Sequence, residues 1–484
     1  MDDSAARDHS NEAGLAPVLY DEYVSRLPAP WPDATLRAGV AAAIRRAGQK
    51  VVAIDDDPTG CQTVHDVPLL LEWSVEALCD GLRDPAPALF VLTNSRAMPA
   101  EQAAAVNRRL AGQLHAAGER CRQSFVVVSR SDSTLRGHFL AETEALSAEL
   151  GPYDGVILAP CFFEAGRHTA EGIHWVRQGE RLLPAAQTES ARDASFGFSH
   201  SWLPAWVEEK TGGRVPAGAT LLVRLEDVRR GGPARVAELL MSASGGQPIV
   251  WDAWDYGDLE VLLAGLLQAE AAGKRFLYRT AASFVRARAG IGPRPLLTAQ
   301  ELRAGRPSGR GLVAVGSHVP RSTAQLEALL AADPAAGVEL RVAELLKPET
   351  RQAAIAASIT QVCAGYDAGR VPVLYTSRQL AVGDGPAESL RITNLVSEAL
   401  VEAVQAAMSR RPFDWLVAKG GITAHELARR ALGARRARVL GQAAAGVPVW
   451  RLGPEAIRPG MTYVVFPGNV GDADTLRRVV ELLR

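Results

Sequence analysis

Three consecutive carboxylates, Asp55, Asp56 and Asp57, end an apolar run (Val51, Val52, Ala53, Ile54) and are followed by Pro58, Thr59 and Gly60. The run reads as a buried strand and the Pro-Thr-Gly that follows as a turn. The acids therefore fall at the carboxyl edge of a strand, where open α/β sheets bind their ligands. Adjacent like charges repel, so three of them call for arginines, a cation or water nearby. Arginines follow the ends of the next strands: Arg96, Arg130, Arg136 and Arg167. A guanidinium presents a planar fork that takes a carboxylate or phosphate through two parallel hydrogen bonds. The stretch 129–138 (SRSDSTLRGH) adds Asp132, Ser133, Thr134 and the permissive Gly137. Carboxylates that accept from hydroxyls beside arginines that take an acid group describe a site for a small polyhydroxylated anion. A single arginine of this kind is as well explained by a structural aspartate; four at strand ends are not.

The second half carries a different chemistry. Gly316-Ser317-His318 follows an apolar strand and precedes a helix, as does Lys419-Gly420-Gly421-Ile422-Thr423. A third loop, Phe466-Pro467-Gly468-Asn469-Val470-Gly471, lies before the last helix. Backbone N–H groups at such turns cradle phosphate, and glycine lets the chain approach it. One glycine turn is a common connector; three in one domain read as a nucleotide cradle. Neither GxxxxGK[ST] nor a GxGxxG after the opening strand is present, which disfavours P-loop ATPases and Rossmann dehydrogenases. His138, His168 and His174 lack HxxxH or HExxH spacing, so no metal site is expected.

Apolar strands at 51–54, 67–72, 89–92, 124–128 and 155–158 alternate with helices at 33–47, 75–82 and 99–117, polar residues following most of these strands. The second half repeats the alternation. This pattern predicts two α/β domains, each a mainly parallel sheet flanked by helices. The boundaries expected are a frayed tail over 1–32, a first domain over 33–288, a Gly/Pro/Arg-rich linker over 289–310 and a second domain over 311–484. With 484 residues two domains are the natural count. A net charge of -1 argues against a nucleic-acid or anionic-membrane surface as the main partner. No apolar run approaches a membrane span and the N-terminus has no signal-peptide pattern. Five scattered cysteines without a CxxC pair fit a reduced cytoplasm.

Taken in order, IDDDPTGCQT, SRSDSTLRGHF, APCFFEAGRHT, VGSHVPRSTAQ, KGGITAHELA and FPGNVG resemble the four-carbon acid sugar kinases, a family that includes D-threonate, D-erythronate and 3-oxo-tetronate kinases. The resemblance runs from about Val51 to the C-terminus. It implies a substrate-binding N-terminal domain, an ATP-binding C-terminal domain, an active site in the cleft between them and phosphoryl transfer to the terminal hydroxyl of a tetronic acid. Its ATP contacts fall on Ser317, on Gly420, Gly421, Ile422 and Thr423, and on Gly468. Its substrate motifs fall on Asp55–Gly60 and Asp132–Gly137. The chain departs from it twice: Asp56-Asp57-Pro58-Thr59-Gly60-Cys61 replaces DDLTGA, and Phe466-Pro467-Gly468 replaces a Lys-Ser-Gly loop.

The expected mechanism places ATP, with Mg²⁺ bridging its phosphates, on the glycine loops, and the acid sugar on the first domain's strand ends. Arg130, Arg136 or Arg167 takes its carboxylate, with Arg96, Asp55, Thr59, Gly60, Ser133, Thr134 and Gly137 around it. One of Asp56, Asp57 and Asp132 orients the attacking hydroxyl. Asp56 is preferred, because the residue before Pro58 is restricted and serves the turn. The chain is expected to act as a cytoplasmic enzyme, with homodimerisation allowed. The competing readings are a non-catalytic sensor of a sugar acid or nucleotide, and a metal-assisted sugar-acid lyase or isomerase.

Overall fold

The computed structural model describes residues 15–484 apart from Ala34, Pro307, Ser308, Leu380 and Val382. The chain forms two compact units, one of 1–60 and 73–292, the other of 61–72 and 293–484.

The first unit is built on seven parallel strands. Their spatial order is Leu221–Val223, Gln247–Trp251, Gly155–Ala159, Phe276–Thr280, Phe125–Arg130, Lys50–Asp55 and Ala88–Leu92. Lys50–Asp55 is buried along its whole length, which is why its sequence runs apolar rather than alternating. It pairs with Phe125–Arg130 on one side and Ala88–Leu92 on the other, Asp55 lying opposite both Arg130 and Leu92. The three strands thus end at one level, and the residues that follow them share one edge of the sheet. Helices Ala100–Cys121 and Phe139–Leu150 follow two of these edge loops.

A small antiparallel sheet, Val18–Leu19, Arg181–Pro184, Ile173–Gln178 and Arg167–Ala170, is also part of this unit. Its strands were not anticipated from the sequence. The tail expected over 1–32 is a tail in neither Val18–Leu19, which pairs with Arg181–Leu182, nor the helix Tyr20–Val24. Tyr20, Tyr23 and Val24 pack against the cluster that holds Trp175, Leu182 and Trp254, so apolar burial fixes this segment. The remainder of that expectation, 1–14, lies outside the described residues.

Among the described residues the second unit has eight strands in the order Val67–Leu70, Arg436–Ala444, Val447–Leu452, Thr462–Phe466, Trp415–Lys419, Gly311–Val315, Val373–Thr376 and Gly337–Leu340. The first four are joined by antiparallel pairings; from Thr462–Phe466 onward the pairings are parallel. Val67–Leu70 is a strand as expected, but its partner is Arg436–Ala444, so the stretch 61–72 is built into the second unit's sheet. Trp450 Nε1 donates to Cys61 Sγ (3.2 Å) within the same unit.

The stretch expected as a linker is mostly exposed but is anchored by two buried leucines. Leu297 and Leu302 are core residues of the second unit. Thr298 and Glu301 form a reciprocal capping box on the short helix Ala299–Leu302, two backbone N–H groups being satisfied by two side chains. Pro307 and Ser308 of that stretch lie outside the described residues. No helix among the described residues is long and apolar enough to cross a membrane.

Candidate active site

The edge beyond Asp55 is a network of carboxylates and guanidinium groups. Arg96 takes Asp56 with two bonds, Nη2 to Oδ1 (2.6 Å) and Nε to Oδ2 (3.3 Å), and places Nη1 3.4 Å from Asp57 Oδ2. Arg130 Nη1 lies 3.2 Å from Asp55 Oδ1. Ser131 Oγ donates to Asp56 Oδ2 (2.7 Å) and receives Arg279 Nη2 (2.8 Å). Arg279 also donates to Ser129 Oγ (2.8 Å) and pairs with Glu142, whose other oxygen accepts from Ser95 Oγ. Ser131, Arg279 and Glu142 were missed in the sequence. The signal was a lone arginine inside the apolar strand Phe276–Thr280, which burial obliges to find an acid.

The three aspartates differ in what holds them. Burial pushes the Asp55 carboxyl up to about 7; Arg130 pulls it down, and Asp56 and Asp57 push it further up. Burial also opposes ionisation of Asp56, but Arg96, Arg279 and Arg130 outweigh it and keep the carboxyl below the usual range. Asp57 accepts from the Thr59 backbone N–H (2.8 Å) and hydroxyl, closing its own turn. Gly60 is required by this packing. A Cβ there would stand 2.0 Å from Asp55 Oδ2, and that carboxylate cannot swing aside without leaving Arg130 and the Asp57 N–H. Gly60→Ala is expected to cost about 1–3 kcal/mol, read as a lowered thermal midpoint.

The loop after Phe125–Arg130 supplies the remaining groups. Asp132 Oδ2 accepts from Arg136 Nε (2.6 Å) and the Thr134 hydroxyl, and no bond among the described residues claims Oδ1. Burial would raise its carboxyl, but Arg96 and Arg136 hold it well below the usual range. Gly137, at φ 118°, brings the backbone so close that a Cβ would lie 2.8 Å from Asp56 Oδ2. Leu135 also takes a left-handed φ, 67°, a conformation a branched side chain adopts only under local constraint. The Ser133 carbonyl is held by His174 Nε2 (2.7 Å), whose Nδ1 accepts from Thr169 Oγ1. Burial keeps His174 neutral, with its pKa lowered to about 4. His168 stacks on Trp254 and bonds its carbonyl, and His138 bonds the Met98 carbonyl. The histidines thus have structural partners.

Arg167 stands apart. It forms no ion pair among the described residues; its bond goes to the Ala165 carbonyl, and its Nε is buried without a partner. Burial lowers its pKa, the Asp132 charge raises it and Arg136 lowers it, which places all three groups within one electrostatic neighbourhood. Of the four arginines read from the sequence, Arg96, Arg130 and Arg136 are committed to aspartates.

In the second unit the three glycine loops converge. A Cβ on Gly316 would lie 2.3 Å from Thr423 Oγ1, one on Gly420 3.1 Å from Ser317 Cβ, and one on Gly468 2.8 Å from Ser317 Oγ. Ser322 Oγ donates to the Gly468 carbonyl (3.0 Å) and bonds Ser317 Oγ (2.9 Å). Gly420 needs its φ of 119°, and its N–H donates to the Phe466 carbonyl (2.8 Å). Gly421 opens the helix Gly421–Glu426, and Ile422 is exposed. Ser317, Gly420, Thr423 and Gly468 are thus brought together, the glycines leaving room for the Ser317 and Thr423 side chains.

Two family models match the chain, a sugar-binding N-terminal domain over residues 51–288 and a nucleotide-binding C-terminal domain over residues 312–476. A D-threonate kinase of Bordetella bronchiseptica is 31% identical over 165 residues, which is 32% of this chain and 38% of that protein. The chain therefore matches little more than a third of that relative's length. A 3-oxo-tetronate kinase of Methylobacterium radiotolerans is 27% identical over 421 residues, covering 82% of this chain and 89% of that protein. Two solved structures share the fold: Haemophilus influenzae protein HI1011 (TM-score 0.60, 20% identity, 90% of this chain and 100% of that one) and a putative tRNA synthase of Salmonella typhimurium (TM-score 0.63, 18% identity, 89% and 98%).

Proposed function

The chain belongs to the four-carbon acid sugar kinase family, and we propose that it transfers the γ-phosphoryl group of ATP to the terminal hydroxyl of a tetronate-type acid sugar. The observation that carries this reading is the uncommitted guanidinium of Arg167 beside Asp132, on an edge where the other arginines already have acids. An edge so arranged has room for one more carboxylate, and that carboxylate is the ligand's.

Arg167 takes the acid group of the sugar. Arg96, fixed by Asp56, keeps the positive charge of the edge in place, and Arg279 does the same through Ser131. Asp57 serves its turn and Asp56 has both oxygens occupied, so Asp132, with Oδ1 unclaimed, is the group that orients the attacking hydroxyl and accepts its proton. Phosphoryl transfer passes through a loose transition state in which positioning and charge stabilisation outweigh proton removal. A carboxylate held ionised by arginines suits that task.

Ser317, Gly420, Gly421, Ile422, Thr423 and Gly468 hold the nucleotide: the N–H groups of Gly421, Ile422, Thr423 and Gly468 face its phosphates, while those of Ser317 and Gly420 are spent on the Lys419 and Phe466 carbonyls and fix the loops. The fit rests on the crowding that excludes a Cβ at Gly316, Gly420 and Gly468. Mg²⁺ enters as the nucleotide's own counter-ion, between its phosphate oxygens.

ADP release with a panel of tetronic acids tests the proposal. ADP is expected with ATP plus one acid or a narrow set of acids, and with neither substrate alone. Acid binding without ADP release would make the chain a sensor, and consumption of the acid without ATP would make it a lyase or isomerase.

A further inference from the structure

Lys419 is fully buried, and among the described residues no carboxylate pairs with it. Its amine bonds the Pro467 carbonyl and the Gly468 carbonyl (3.3 Å), and lies 4.1 Å from the centre of the Phe466 ring. Its own carbonyl accepts from the Gly316 and Ser317 N–H groups, both 3.3 Å. The next residue, Gly420, donates to the Phe466 carbonyl (2.8 Å). One residue thus touches all three glycine loops.

The last loop shows what this does. Its carbonyls are claimed in succession by side chains: Pro467 and Gly468 by Lys419, Gly468 also by Ser322, Asn469 by Arg321 (2.8 Å) and Val470 by Gln325 (2.9 Å). In a trans peptide the N–H points opposite to the carbonyl of the same unit. Carbonyls drawn inward at Pro467 and Gly468 therefore turn the N–H groups of Gly468 and Asn469 the other way. Neither N–H has an acceptor among the described residues. Successive free N–H groups on one side of a loop form an anion-binding concavity.

We propose that Lys419 is the positioning residue of the nucleotide cradle: its amine turns the Phe466–Gly471 loop so that the Gly468 and Asn469 N–H groups face the nucleotide's phosphates, and its charge is stabilised when they arrive. This rests on the nucleotide reading above. It also answers the departure at Phe466-Pro467-Gly468, because the loop without its own lysine is held by one from the neighbouring strand Trp415–Lys419. Burial, and to a lesser degree the nearby Arg321, lowers the amine's pKa to about 7 in the free protein. Other charged or titratable groups near these loops are Arg378, which donates to the Ser317 carbonyl, His318, which bonds the Ser377 carbonyl, the buried His425 on the helix Gly421–Glu426, and Asp472, whose carboxylate is taken by Arg478 and Thr475. No acid faces the amine, so a bound polyphosphate supplies the missing counter-charge.

Calorimetry of ADP binding at pH 8 in two buffers of different ionisation enthalpy tests this on the unaltered chain. ADP is itself deprotonated there and Lys419 largely neutral, so binding is expected to take up a fraction of a proton. Affinity is expected to fall as pH rises above 7. Lys419→Met is expected to weaken ADP binding at least tenfold and to abolish the proton uptake. It should raise KM for ATP more than it lowers kcat, and leave KM for the acid sugar unchanged. ADP binding without proton uptake at pH 8, or equal ADP affinity in Lys419→Met, overturns the inference while leaving the nucleotide reading intact. A chain that binds no ADP overturns both.

Discussion

Turnover of an Asp132→Asn chain is expected to fall by about 10²–10⁴-fold, with ADP binding close to that of the unaltered chain and a thermal midpoint lowered less than in Asp56→Asn, because the arginines that hold the Asp132 carboxyl low lose a stabilising charge. The effect is large because the amide can neither accept the hydroxyl's proton nor hold that hydroxyl through a charged hydrogen bond. It falls mainly on turnover because Asp132 is partly exposed (13%) and the bonds it makes to Thr134 and Arg136 are within its own loop. Asp56→Asn is the informative contrast. Asp56 is 2% exposed and takes two bonds from Arg96 and one from Ser131. Removing its charge leaves Arg96 without its strongest partner, and breaking a buried pair costs about 3–5 kcal/mol. That variant is expected to lose both activity and thermal midpoint. If Asp56→Asn loses turnover with its midpoint intact, and Asp132→Asn keeps near-normal turnover, the two roles are exchanged.

The difference between these aspartates was only partly legible in the sequence. A strand ending in three acids, with arginines after its neighbours, placed the groups on one edge, since parallel strands of similar length end together. Which acid meets which arginine depends on side-chain direction at the strand end and on residues far away in the chain. Asp56 is saturated partly because Ser131 is held by Arg279, and Arg279 is held by Glu142; nothing in the local pattern of 51–64 encodes either. The same limit explains Val67–Leu70. Its β-forming residues made a strand legible, but a strand's partner is not a local property, and here the partner is Arg436–Ala444. The glycine loops were more legible, because a turn needing a positive φ or close approach names its residue directly, as Gly420 does. Lys419 was read as the first letter of that loop, whereas its role comes from a side chain directed back into the core.

Arg167 gives the sharpest test of the substrate side. A carboxylate held by a half-buried guanidinium loses about 2–4 kcal/mol when the guanidinium is removed, so Arg167→Gln is expected to raise KM for the acid sugar by roughly 30- to 1,000-fold. KM for ATP should be unchanged. The thermal midpoint should stay level or rise, because the side chain carries a half-buried charge with no acid of its own among the described residues and a buried Nε with no acceptor. This sets Arg167 apart from Arg96 and Arg130, whose removal would strand Asp56 and Asp55 and lower the midpoint as well. Arg167→Lys should recover only part of the affinity, since an ammonium offers a point charge where a carboxylate is gripped by a fork. A neutral tetritol, which has the hydroxyls but no acid group, separates recognition of charge from recognition of shape. The unaltered chain is expected to discriminate strongly against it and Arg167→Gln hardly at all. Equal discrimination by both chains would place the carboxylate elsewhere on the edge and leave Arg167 a structural residue.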